Sequence, residues 1–132
     1  VNWYQLPLVD ASGEDVAQRF SAHEHRFGAH AGQIETSLIL ALHPELVYMG
    51  QAQNFASTSE QRAAKFDLLG NGKSAKLGWQ MQDYNPHGAA GNAAAATPRK
   101  GQALLDASGR ALAQLLTEID QLPPSTLREQ MG

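Results

Sequence analysis

The stretch that most constrains this 132-residue chain is a long amphipathic helix near its end. Thr97 supplies a capping side chain, and Pro98 takes the first helical position, where its missing N–H costs nothing. Leu104, Ala107, Ala111, Leu112, Leu115, Leu116 and Ile119 then recur at helical spacing until Pro123-Pro124 stops the run. So wide an apolar face must be buried against another element. A second helix, over residues 32–42 and stopped by Pro44, offers Ile34, Leu38, Ile39, Ala41 and Leu42 on one arc, with the carboxylate of Glu35 inside that arc. A shorter helix is expected after Asp10-Ala11-Ser12-Gly13, with Ser12 as its cap and Val16 and Phe20 on one face. Residues 21–29 read as an irregular connection carrying His23 and His25.

Three amphipathic helices call for a sheet to cover, and the chain offers only fragments of one. Val1-Asn2-Trp3-Tyr4-Gln5-Leu6, Leu46-Val47-Tyr48-Met49 and Gly78-Trp79-Gln80-Met81 read as short strands. Between the second and third lies a polar connection over residues 50–76, with Gly70-Asn71-Gly72 as a turn. The expected fold is α/β, with part of the sheet supplied from upstream of Val1 or by another chain.

Composition narrows the functions. A net charge of −3 with ten Lys and Arg gives no basic field for a phosphate backbone, so nucleic acid is not an expected partner. The absence of cysteine excludes thiolate zinc sites and a cysteine nucleophile, and it fits a reducing, cytoplasmic compartment. No apolar run reaches the roughly 20 residues of a membrane helix, so no membrane partner is expected either.

Five groups of residues carry candidate chemistry. His30 precedes the second helix and Glu35 lies in its first turns, where the positive end of the helix dipole favours a carboxylate and an uncharged imidazole, the form that accepts a proton. The pair suits proton transfer; alternatively Glu35 only accepts hydrogen bonds from loop amides while His30 lines the turn. His23, Glu24, His25 and His30 form a second group with metal-ligating side chains but no evident rigid frame. His43-Pro44-Glu45 sits at a helix stop and reads as structural. Trp3 and Tyr4, on alternate faces of a strand, suit either a substrate pocket or core packing. The Gly88-Ala89-Ala90-Gly91 loop, with Arg99 and Lys100 beyond it, has the makings of an anion cradle but lacks P-loop spacing.

The string from His30-Ala31-Gly32-Gln33-Ile34-Glu35-Thr36-Ser37 through an apolar helix to Pro44-Glu45-Leu46-Val47 resembles the creatininase (creatinine amidohydrolase) family. Gly91-Asn92-Ala93-Ala94-Ala95-Ala96-Thr97 with Lys100-Gly101 is similar to the family's Gly-Asp-Pro-x-x-Ala-Thr-x-x-Lys-Gly segment. Trp3-Tyr4 falls where the family has an aromatic-bearing strand.

The resemblance implies the C-terminal part of a creatininase-like α/β/α layered sandwich over residues 1–122, with the upstream sheet missing; after the helix ends at Pro123-Pro124, residues 123–132 read as a flexible tail. It also implies a metal-dependent amidohydrolase that cleaves a C–N bond of an amide or cyclic amide. On this reading His30 is a proton shuttle, Glu35 holds the turn, and Trp3, Tyr4 and Phe27 wall the substrate pocket. Two divalent ions, zinc or manganese, would belong to the complete enzyme. The family's ligands, an upstream Glu-x-His, a following Asp and an Asn-Gly-His-x-Glu segment, do not occur in this chain, so no metal is expected on it alone. The expected partners are a small amide substrate, the upstream part of the same enzyme and further copies in a homo-oligomer. Arg26 and Gly28 stand where creatininase has a tryptophan and many relatives an acid, which argues against creatinine as the substrate. The alternative is a catalytically inactive, truncated module retained for oligomer assembly.

Overall fold

The computed structural model of the chain describes residues 5–126. Five helices run in the order α1 (Ala22–Phe27), α2 (Gln33–Leu42), α3 (Thr58–Lys65), α4 (Met81–Tyr84) and α5 (Pro98–Asp120). Two strands, β1 (Asn54–Phe55) and β2 (Gly91–Asn92), pair antiparallel with Asn54 opposite Asn92 and Phe55 opposite Gly91. Ala90, just before β2, pairs in turn with His30. The architecture is helix-rich with a small two-stranded sheet, compatible with part of an α/β fold.

The packing of α2 against α5 dominates. Thr97 caps α5 as expected, its hydroxyl accepting the Lys100 amide at 3.3 Å. The face of α2 that meets α5 is only part of the apolar arc read from the sequence: Ile34 and Leu38 of that arc pack on the core that α5 shares. Gln33 and Ser37 are its buried residues, whereas Ile39 and Leu42 face solvent. The cause lies at Gly101, where an added Cβ would overlap the Ser37 carbonyl, so the helices meet backbone to backbone and leave room only for small side chains. Ser37, 0% exposed, accepts the Thr97 amide on its hydroxyl at 3.1 Å. One layer away, Val16, Phe20, Leu104 and Ala107 form the apolar core, with Leu8, Ile34, Leu38 and Ala103 packed against it.

Near the start of the described residues, Asp10 Oδ1 accepts from the Ser12 amide (2.8 Å), the Ser12 hydroxyl (2.6 Å) and the Glu14 amide (3.1 Å), while Oδ2 meets Arg19 at 2.7 Å. Ser12 is therefore spent on this turn. Asp15 caps the short 3-10 turn Val16–Arg19 instead, which corrects the expected cap.

Other expectations are corrected by similar local chemistry. Residues 21–29 hold a helix, α1, because Ser21 accepts the Glu24 amide at 3.0 Å. The polar connection contains α3, capped by Ser57. Leu46-Val47-Tyr48-Met49 is no strand: the Leu46 and Val47 amides bond back to His43 and Pro44, and β-favouring side chains without a pairing partner do not make a strand. Gly78-Trp79-Gln80-Met81 leads into α4, whose start is closed by Asp83 accepting the Gln80 amide at 2.8 Å. Trp3 and Tyr4 lie outside the described residues. No helix among the described residues is long and apolar enough to cross a membrane.

Candidate active site

Helix α2 opens with Gly32, which has no side chain to cap it. The cap comes from α1: Glu24, 4% exposed, accepts the Gln33 amide on Oε1 at 2.6 Å and the Asn92 amide on Oε2 at 2.8 Å. One carboxylate thus ties three elements together, and the positive end of α2 favours its negative charge. Room for it is made by three glycines. A Cβ at Gly28, Gly91 or Gly32 would come within 3.0 Å, 2.6 Å or 2.4 Å of Oε1.

The segment between these glycines carries the pair singled out from the sequence. His30 bonds through its backbone to Ala90, accepting the Ala90 amide at 2.8 Å. Ala31 follows with φ of 51°, a left-handed conformation that costs a non-glycine residue about 1–2 kcal/mol. Glu35 holds that turn: its Oε2 accepts the Ala31 amide at 2.7 Å and lies 3.2 Å from His30 Nδ1. With Nδ1 against the carboxylate, Nε2 is the nitrogen left for a substrate. The His30 and Glu35 side chains are 57% and 53% exposed, and both line a cavity of about 130 Å³ whose other walls include Gly28, Ala29, Gly32 and Ile34. His30 is thus at an opening rather than sealed in packing.

The remaining candidates are dispersed. His23 lies 3.1 Å from Glu60 and its ring tilts against Phe27, with centroids 5.1 Å apart. His25 Nε2 meets the Ala17 carbonyl at 2.7 Å, and the His25 ring sits edge-on to Phe20. Together with His30 they make no cluster; among the described residues no three His, Asp or Glu side chains are placed to hold a metal ion. Phe27 is buried between His23 and the Arg26 guanidinium, 5.0 Å from its ring. His43 bonds Glu45 at 3.0 Å on the surface, and Lys100 lies over the Phe20 ring rather than at the Gly88 loop.

Sequence reasoning misses Glu24 as a residue of this site and takes it only as a possible ligand between two histidines. Ser21-x-x-Glu24 is a helix-start signal that places α1. Its Glu would ordinarily turn back to the cap, and only the tertiary fold sends it to Gln33 and Asn92.

A histidine backed by a carboxylate on a held turn, beside an open cavity, is an arrangement that can move a proton, as a hydrolase needs. The comparison with protein families names the hydrolase: the family model for creatininase, creatinine amidohydrolase, matches residues 4–116, and the chain belongs to that family. Membership makes it part of an amidohydrolase family that is metal-dependent in general. Neither a curated protein nor a solved structure matches it.

Proposed function

We propose that this chain supplies the proton-handling corner of an amidohydrolase that cleaves a C–N bond of an amide or cyclic amide, with the metal held by an upstream part of the same enzyme. His30 Nε2 takes a proton from the attacking water and passes it to the leaving nitrogen. Glu35 holds the imidazole by its contact with Nδ1 and holds the turn through the Ala31 amide. The observation that carries this reading is the contact of His30 with Glu35 on the wall of a cavity, at a backbone turn that costs energy to maintain.

The test is amide turnover by the metal-loaded enzyme containing this chain. His30→Ala should lower kcat by about 10²–10⁴-fold with metal content unchanged. Unchanged turnover in that variant overturns the proposal. Assembly into a homo-oligomer is a second reading, favoured by Leu112 and Leu116, which lie exposed on the outer half of α5. Sedimentation of the chain with Leu112→Gln and Leu116→Gln checks it: a shift from oligomer to monomer supports assembly, and a monomeric parent refutes it.

A further inference from the structure

A second, larger cavity shares a wall with the first. Gly28 and Ala29 line both, and the larger, about 680 Å³, extends toward Asn71, Lys76, Trp79 and Tyr84. Its chemistry differs from that of the rest of the molecule. The chain carries a net charge of −3, yet Arg26 and Lys76 line this cavity and no Asp or Glu does. Among the described residues neither cation has a carboxylate within ion-pair distance.

Arg26 is held in place rather than free to swing. Its Nε donates to the Asn71 carbonyl at 3.2 Å, and its own carbonyl accepts the Asn71 side-chain amide at 3.3 Å. The plane of the guanidinium is further set by Phe27. The same Asn71 accepts the Tyr84 hydroxyl at 3.2 Å, so one residue fixes both the cation and an aromatic wall. Tyr84 is buried, and Trp79 stacks on it with centroids 4.7 Å apart and planes 23° from parallel. Trp79 remains 44% exposed, an indole face turned to solvent at the cavity. A fixed guanidinium with two unspent nitrogens, an ammonium without a carboxylate beside it and a flat apolar wall together recognise an oxyanion attached to a planar group.

We propose that this cavity binds the non-reacting end of the substrate, a carboxylate or phosphate borne on a flat, apolar portion, with Arg26 and Lys76 on the oxyanion and Trp79 against the plane. Naming that ligand a substrate rests on the hydrolase reading above; the site itself does not. Oxyanion binding here directs the scissile amide across Gly28 and Ala29 toward His30, and selects anionic amides over neutral ones.

The test is an NMR titration of the full chain with benzoate, phenyl phosphate and their neutral counterpart benzamide at constant ionic strength. The amides of Gly28 and Ala29 and the Trp79 indole N–H report on the cavity. The anions should bind at least tenfold more tightly than benzamide and shift those signals. The tighter of the two anions identifies carboxylate or phosphate as the group recognised. Arg26→Gln should weaken the anions at least fivefold and leave benzamide within twofold. Lys76→Met, at an exposed position, should act in the same direction. Benzamide binding as tightly as benzoate, anion affinity untouched by both substitutions, or shifts confined to other surfaces each overturns the proposal. His30→Ala should leave anion binding unchanged. If anion binding survives while turnover proves indifferent to His30, the site stands and the proton-handling role of His30 falls; if turnover needs His30 and the anions do not bind, the reverse holds.

Discussion

Replacing Glu24 by glutamine exchanges one oxygen for an amide of similar size, and the two hydrogen bonds of the carboxylate set the cost. Both oxygens of Glu24 accept backbone N–H groups, from Gln33 and Asn92, in a place that is 4% exposed. Glutamine keeps one acceptor and presents an NH2 to the other donor, so one charge-assisted bond is lost and a buried N–H is left without a partner. Loss of such a bond costs about 1.5–3 kcal/mol, and the orphaned donor adds to it, giving about 3–4 kcal/mol in all. That is a large share of the roughly 5–15 kcal/mol by which a domain of this kind is stable. At about 2.1 cal/mol/K per residue of unfolding entropy, it lowers Tm by about 10–15 °C. Urea denaturation measures the loss, and amide hydrogen exchange locates it, with Gln33 and Asn92 gaining most. A Glu24→Gln variant within about 1 kcal/mol of the parent, or one whose two amides exchange no faster, would refute the view that this carboxylate joins α1, α2 and β2.

Three further outcomes are expected. Gly101→Ala gains up to about 1 kcal/mol of helix propensity but drives a methyl into the Ser37 backbone, so a net loss of at least about 2 kcal/mol should appear in the denaturation midpoint. Ala31→Gly relieves the left-handed strain at φ 51° and should raise stability by up to about 1 kcal/mol, measured by thermal unfolding, while lowering turnover through a looser His30 turn. Asp10 has its carboxyl lowered to about 2, first by the Ser12 hydroxyl, then by the Glu14 and Ser12 amides and by Arg19. A lowered folded-state value stabilises above the ordinary carboxylate range, and that contribution disappears as pH falls from about 4 toward 2. Acid unfolding of Asp10→Asn should therefore be less steep over that interval than that of the parent.

What could be read from the sequence was the punctuation of the two main helices. Thr97-Pro98 opened α5 where expected, and Pro44 closed α2, because caps and prolines act within a few residues of themselves. The proximity of His30 and Glu35 was legible for the same reason, since a helix start brings residues five apart together. What depended on distant partners was not. The apolar arc of α2 held Ile34 and Leu38, which do pack on the core, but also Ile39 and Leu42, which face solvent, because the neighbour that sets the buried face is Gly101, more than sixty residues from Ser37. Strands were expected wherever β-branched and aromatic residues gathered, and the strand pairing formed among the described residues joins Asn54-Phe55 to Gly91-Asn92, segments with no such pattern. The larger cavity is assembled from residues of the Asn71 turn, α1 and the approach to α4, which no local spacing connects.

The packing around Glu24 also orders the paths by which this chain can change. At Gly32 a side chain and the Glu24 carboxylate would compete for a single volume, so tolerance to mutation there is conditional on residue 24, whereas Gly28 and Gly91 are also closed by backbone, the Glu24 carbonyl 2.6 Å from a Cβ at 28 and the Gly32 Cα 2.7 Å from one at 91. A methyl at position 32 is excluded while Glu24 stands; once residue 24 is shortened, its main remaining neighbours are the Gly91 Cα at 3.0 Å and the Ala90 carbonyl at 3.1 Å. A substitution at 32 that is harmful in the parent is therefore partly compensated when it follows a shortening at 24. Homologues that lack the acid at position 24 should accordingly be the ones that carry a side chain at position 32, an epistatic signature linking α1 to the start of α2.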